Sequence, residues 1–273
     1  MTFPVYIHLF GVTLHPHTVF EILAYGLGSR LFFFLRKRSA GRQPSLPIEK
    51  TLLLLCGCTV GALLGAKLLA LAESWREISA AAAANPLAWV AGKTIVGGIL
   101  GGWIGVEIAK KLTGVRKSTG DTFVFPLILG IAIGRVGCFL TGLEDHTHGN
   151  ANALPWAVDF GDGVRRHPTQ LYEIAYLATL AIVLVLPPVR RLWSVPAGQV
   201  QSGRLFRLFV IGYLSFRFAI EFIKPTDKTL LGLSAIQWAS LLAVGWTAVQ
   251  LLRKRSPQAI DSSPSAIERG AAS

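Results

Sequence analysis

The sequence predicts an all-α polytopic membrane protein with about seven transmembrane helices, the N-terminus outside and the C-terminus cytoplasmic. Three observations lead there. Of 273 residues, 52% are hydrophobic and only 15% are charged. The apolar residues gather in blocks near the ~20 residues that cross a bilayer. Lys and Arg outside those blocks collect in alternate connecting segments, as the positive-inside rule requires. The net charge of +12 is therefore topological, and no nucleic-acid partner is expected.

The first 17 residues carry no Lys or Arg and no small-residue cleavage site after an apolar core, so they are not expected to be a removable signal peptide. Seven spans follow: Thr18 to Leu35, Thr51 to Ala72, Leu87 to Ala109, Asp121 to Thr141, Pro168 to Leu186, Leu208 to Ile223, and Leu230 to Leu252. Seventeen Lys and Arg fall on one side of this array and five on the other, which sets the orientation. Residues 1–255 are predicted to form one transmembrane domain with an outer loop at 142–167. Residues 256–273, rich in Ser, Pro and Ala, are predicted to be a disordered cytoplasmic tail.

The third span carries Gly97, Gly98, Gly101, Gly102 and Gly105 at small-xxx-small spacing, which favours close helix packing and also leaves room for a lipid tail. Cys56, Cys58 and Cys138 lie in apolar runs without metal-ligand spacing and read as small core residues. His146-Thr147-His148 in the outer loop is too weak a pattern to carry a metal. No metal and no cofactor are expected.

Five basic residues stand inside the spans: Arg30, Lys67, Lys93, Arg135 and Arg217. An arginine within hydrocarbon is costly and marks a site with an anionic partner. Arg135 precedes the outer end of its span at Thr141 by six residues, and Arg217 precedes Ile223 by six. At the helical rise both sit about 9 Å below the outer surface. Two arginines at one depth suggest one shared ligand, and their planar forks match phosphate. A phospholipid headgroup drawn below the interface fits, although an Arg217–Glu221 pair made for neutrality alone would need no ligand. Tyr213, Arg217 and Glu221 recur every four residues and line one helix face. At the start of the fifth span Gln170 and Glu173 share a face, and His167 is a possible proton carrier.

Three blocks, Gly134-Arg135-Val136-Gly137 with Phe139 and Gly142, Arg166-His167-Pro168-Thr169-Gln170-Leu171-Tyr172-Glu173, and Gly212-Tyr213 with Arg217 and Glu221, resemble in order and spacing the signature segments of the prolipoprotein diacylglyceryl transferase family. The resemblance covers roughly Leu14 to Leu252. It implies a multi-pass enzyme of the bacterial inner (cytoplasmic) membrane, with its active site toward the outer leaflet. The reaction implied moves the diacylglyceryl group of phosphatidylglycerol to the lipobox cysteine in the signal-peptide region of a preprolipoprotein, forming a thioether and releasing glycerol phosphate.

By the same resemblance, Arg135 and Arg217 hold and polarise the phosphate, and Glu221 and Tyr213 position Arg217 and the headgroup. Gly134, Gln170 and Tyr172 complete the lipid-binding set, and Asp121 is structural. The chemistry also needs a base, because the thiolate is the nucleophile. The family usually has a histidine before the Gly-Gly of the third span, where this chain has Leu100-Gly101-Gly102, and a tyrosine where it has His17. Cys138 stands where the family has asparagine. The family's Asn-Gly-Glu is Thr141-Gly142-Leu143-Glu144 here, with the glutamate shifted by one. His17, then His167, are the candidate substitute bases. Modification of another acceptor, phosphatidylglycerol binding without catalysis, and lipid transport remain the alternatives. A transporter would be expected to show interrupted, internally repeated helices, and the sequence shows no convincing repeat.

Overall fold

The computed structural model describes residues 3–40, 46–90, 92–194, 203–228 and 231–252. The described chain is mostly helical: α1 (Pro16–Ala40), α2 (Ile48–Glu73), α3 (Trp75–Ala84), α4 (Ile95–Thr113), α5 (Val124–Thr141), α6 (Thr169–Val185), α7 (Pro187–Trp193), α8 (Arg204–Ile220) and α9 (Ala235–Leu252). Among the described residues four helical segments, built on α1, α2, α5 and α9, are long and apolar enough to cross a membrane. A fifth joins them if α6 and α7, bent by 75° at Leu186, count as one span. The described fold is thus mostly helical with four or five candidate spans, consistent with an all-α membrane protein. The expected tail at 256–273 lies outside the described residues.

A helix overlies each predicted span, with one substantial shift. The third was expected from Leu87, yet a short 3-10 turn occupies Pro86–Val90 and the α-helix begins only at Ile95. Gly92 takes a left-handed φ of 73°, and the Thr94 side chain accepts a bond from Gly97 N. These are a helix break and an N-cap. Lys93 therefore lies before the helix rather than inside it.

Short strands frame the helices. β1 (Ile7–Leu9) and β2 (Val12–Leu14) form a hairpin, and β3 (Val158–Asp159) pairs with β4 (Arg165–Arg166) in the 142–167 loop. That loop is tied down by Asn150 N donating to Ile223 O at 2.8 Å and Gly149 N to His167 O at 2.9 Å. Phe160, 2% exposed, packs against Phe3 and Phe139. The segment thus closes over the ends of α5, α6 and α8, called here the upper end.

The apolar core lies among α5, α6 and α8, where Val124, Leu177, Phe209 and Leu214 are fully buried, with contributions from α4 and α9. Ile22, Leu23, Leu64 and Leu68 on α1 and α2 face outward. Glu173, Arg217, Glu221, Gln237 and Thr247 are buried instead. A lipid solvent favours this arrangement, since apolar side chains gain nothing by leaving hydrocarbon and charges must find partners inside.

Close packing is what the glycines of α4 provide. A Cβ at Gly101 would overlap the carbonyl oxygen of Gly61 on α2, and one at Gly61 would overlap that of Gly101. The two backbones touch, as small-xxx-small spacing allows.

At the lower end, Asp121 accepts from Gly203 N and Phe206 N, each at 3.0 Å, and so caps α8 from another segment. Asp121→Ala is expected to cost about 1–2 kcal/mol, as loss of a helix cap does. A lowered denaturation midpoint with the headgroup site intact is the check; an unchanged midpoint would remove the cap from the account.

Candidate active site

The side chains that matter come from the upper ends of α1, α5, α6 and α8. Glu173 is their hub. On the first turns of α6 its carboxylate is 3% exposed and meets both predicted arginines. Arg217 Nη1 donates to Glu173 Oε2 at 2.9 Å. Arg135 Nε stands 2.8 Å from the same oxygen, an ion-pair contact whose N–H is not aimed along it. The other oxygen accepts from the Tyr213 hydroxyl at 2.5 Å. Arg217 Nη2 also donates to Glu221 at 2.6 Å, and Lys224 Nζ lies 3.5 Å from that carboxylate oxygen.

The two arginines expected at one depth meet one anion, and within the protein that anion is the Glu173 carboxylate. The network holds more positive charge than its own carboxylates offset. Three cations, Arg135, Arg217 and Lys224, face two carboxylates, Glu173 and Glu221, leaving one net positive charge. Arg217 Nε is buried without a hydrogen-bond partner. Arg135, Arg217, Glu221 and Lys224 all line a cavity of 3020 Å³ whose wall continues along apolar stretches of α1, α2, α4, α5 and α9. Charge and unused donors at one end, with apolar walls beyond, suit a lipid bearing one phosphodiester.

Lys224, just beyond the end of α8, is pushed down to about 8 by burial first and then by the nearby Arg217 charge. The positive charge it adds to this end of the cavity is present below that pH and lost as pH rises through it. Headgroup affinity is therefore expected to weaken above about pH 8, and Lys224→Met is expected to flatten that dependence. A binding curve measured across the range decides it, and an unchanged slope in the variant would exclude Lys224.

His17 opens α1 in the same cavity. Its Nδ1 is 3.0 Å from Asp145 Oδ1 and its Nε2 is 3.6 Å from Glu21 Oε2. Glu21 is held in turn by Lys93 at 2.5 Å and by the Tyr25 hydroxyl at 3.2 Å. Cys138, one turn after Arg135, has its Sγ 3.7 Å from Arg135 Nη1. Gly134 lines the cavity with open space where a Cβ would stand.

The remaining predicted residues stand behind this wall. Tyr213 is fully buried against Glu173, where it positions the hub. Gln170 is 1% exposed and donates to Thr147 Oγ1 at 3.1 Å. His167 Nδ1 is 3.2 Å from the Tyr172 hydroxyl, which also accepts from Trp156 at 2.7 Å; these two do not line the cavity. The structure therefore brings Arg135, Arg217, Glu221, Gly134 and His17 to one cavity and sets Tyr213, Gln170, Tyr172 and His167 apart from it.

Sequence reasoning missed Glu173 as hub and Asp145 and Lys224 as members. Glu173 had a signal, since it shares a helix face with Gln170 in an apolar segment. Asp145 and Lys224 read as loop charges.

A family model described as prolipoprotein diacylglyceryl transferase matches residues 4–253. A protein of Bordetella parapertussis named phosphatidylglycerol–prolipoprotein diacylglyceryl transferase is 30% identical over 271 residues, covering 93% of this chain and 94% of its own. Proteins of the same name from Methylobacillus flagellatus and Cupriavidus necator are 35% and 34% identical over 176 and 186 residues, covering 61% and 64% of this chain and 64% and 65% of their own.

Proposed function

Since the chain belongs to the prolipoprotein diacylglyceryl transferase family, we propose that it transfers the diacylglyceryl group of phosphatidylglycerol to a prolipoprotein cysteine thiol. The observation that carries this reading is the pair Arg135 and Arg217, fixed on Glu173 with spare donors at the charged end of a lipid-sized cavity. We further read the chain as a seven-span protein of the bacterial inner membrane, residues 1–255 forming one domain, with the upper end facing outward. Nucleic acid has no part in this reading.

The glyceryl carbon–oxygen bond breaks as sulfur attacks, and negative charge grows on the phosphate of the departing glycerol phosphate. Preorganised arginines in a poorly hydrated site stabilise that charge most where it develops. Glu173, Glu221 and Tyr213 hold the guanidinium groups in place in advance. Thiol activation falls to the His17 end of the cavity, where Asp145 and Glu21 flank the imidazole. His17→Ala is expected to lower transfer by about 10²-fold, the usual scale for a group that favours the reactive protonation state. Unchanged turnover in that variant would remove His17.

Incubating purified protein with phosphatidylglycerol and a lipobox peptide tests the whole reading. The peptide is expected to gain a diacylglyceryl mass on cysteine while glycerol phosphate appears in equal amount. Absence of both, under conditions where a relative is active, would overturn the proposal.

A further inference from the structure

His17, Cys138 and Asp145 come from the start of α1, the last turn of α5 and the turn after it. Their ligand atoms all lie within 4.8 Å of one another. We infer that these three side chains form a zinc site whose fourth position accepts the incoming thiol. The role of that fourth position rests on the transferase reading; the site itself does not.

The donor set fits zinc. Imidazole, thiolate and carboxylate are its usual ligands, and three protein ligands with one open position mark a reactive rather than a structural centre. Bonds of about 2.0–2.3 Å at tetrahedral angles place ligand atoms roughly 3.3–3.7 Å apart. His17 Nδ1 and Asp145 Oδ1 are at 3.0 Å and no pair of ligand atoms exceeds 4.8 Å, so closure needs side-chain movement of about an ångström.

The surroundings also have the form of a metal centre. A ligating imidazole normally directs its second nitrogen to a carboxylate. Here His17 Nε2 faces Glu21, and Lys93 and Tyr25 hold Glu21 in place. The second oxygen of Asp145 accepts from Thr147 at 2.6 Å. Cys138 thiolate and Asp145 together neutralise a divalent ion, and the added negative charge of a bound substrate thiolate would lie beside Arg135.

A cysteine, histidine and aspartate in contact also describe a nucleophilic triad, but the reaction disfavours that reading. Attack by Cys138 on the glyceryl carbon would leave a thioether on the protein, which is no longer a leaving group. A zinc-bound substrate thiolate avoids this. The thiol loses its proton to water on binding the metal, and sulfur then forms its bond to the glyceryl carbon. The carbon–oxygen bond breaks with its electron pair leaving on the phosphate oxygen, held by Arg135 and Arg217. No oxidant or reductant is required, and the otherwise unexplained Cys138 in the Gly-Arg motif gains a function.

Two measurements on the purified full chain test the inference. Cobalt(II) titration is expected to give thiolate-to-cobalt charge-transfer absorption that is lost in Cys138→Ser, retained in Cys58→Ser, and strengthened by a lipobox-cysteine peptide. No such band on the natural chain, or a band that survives Cys138→Ser, overturns the site. Without any variant, zinc at tenfold above its Kd is expected to slow alkylation of Cys138 about tenfold, read by peptide mass spectrometry. Equal alkylation with and without zinc also overturns it. Metal binding without a diacylglyceryl product would leave the site standing and remove only the transferase reading.

Discussion

Replacing Arg135 or Arg217 by alanine is expected to reduce glycerol phosphate release by about 10²- to 10³-fold in either case, the scale found when one preorganised donor to a developing oxyanion is removed. The two side chains do not duplicate one another. Arg217 is clamped at two nitrogens, by Glu173 at 2.9 Å and Glu221 at 2.6 Å, while Arg135 meets Glu173 through Nε and extends Nη1 toward Cys138. One guanidinium is therefore rigid and the other joins the phosphate site to the thiol site. Arg217→Lys is expected to recover little, since a point charge cannot keep two carboxylates and a phosphate in one plane. Retained folding, judged by monodisperse elution, is part of the test. Full release in either alanine variant would contradict a shared phosphate site.

Glu173→Gln has the second large effect, and its effect is on both stability and turnover. The carboxylate is fully buried and serves two guanidinium groups and a tyrosine hydroxyl at once. Removing one charge from a buried ionic cluster commonly costs about 3–5 kcal/mol, because the partners stay buried without compensation. Only Glu221 would then face Arg135, Arg217 and Lys224. A fall of about 5 °C or more in the denaturation midpoint is expected, together with loss of turnover. Phosphatidylglycerol is expected to restore part of the midpoint, since its phosphate supplies the missing negative charge. A merely structural glutamate would show the fall without that lipid-dependent recovery. An unchanged midpoint would remove Glu173 as the hub.

Much of this arrangement was legible in residue spacing. Arg135 and Arg217 could be placed at one depth because each lies a fixed helical distance from the polar end of an apolar segment. The Tyr213, Arg217 and Glu221 face followed from four-residue recurrence and is seen in the Arg217–Glu221 pair. What joins α6 to α5 and α8 was not legible. Spacing gives a face but not the rotation of one helix against another, so Glu173 could not be assigned to both arginines. His17, Cys138 and Asp145 meet for the same reason. The α4 start was mistaken because the hydropathy of Leu87–Val90 outweighed local signals at Pro86, Gly92 and Thr94 that were already in the sequence. The β1–β2 hairpin turns at Phe10-Gly11, whose φ values of 48° and 78° belong to a tight hairpin turn. The short strands on either side carried no signal strong enough to separate them from loop.

The most direct test of the phosphate site is lipid binding measured by native mass spectrometry on the natural chain and on Arg135→Ala/Arg217→Ala, each offered phosphatidylglycerol. A bound phosphatidylglycerol is expected on the natural chain, and its loss in the double variant. Equal retention of the lipid by both proteins would contradict it.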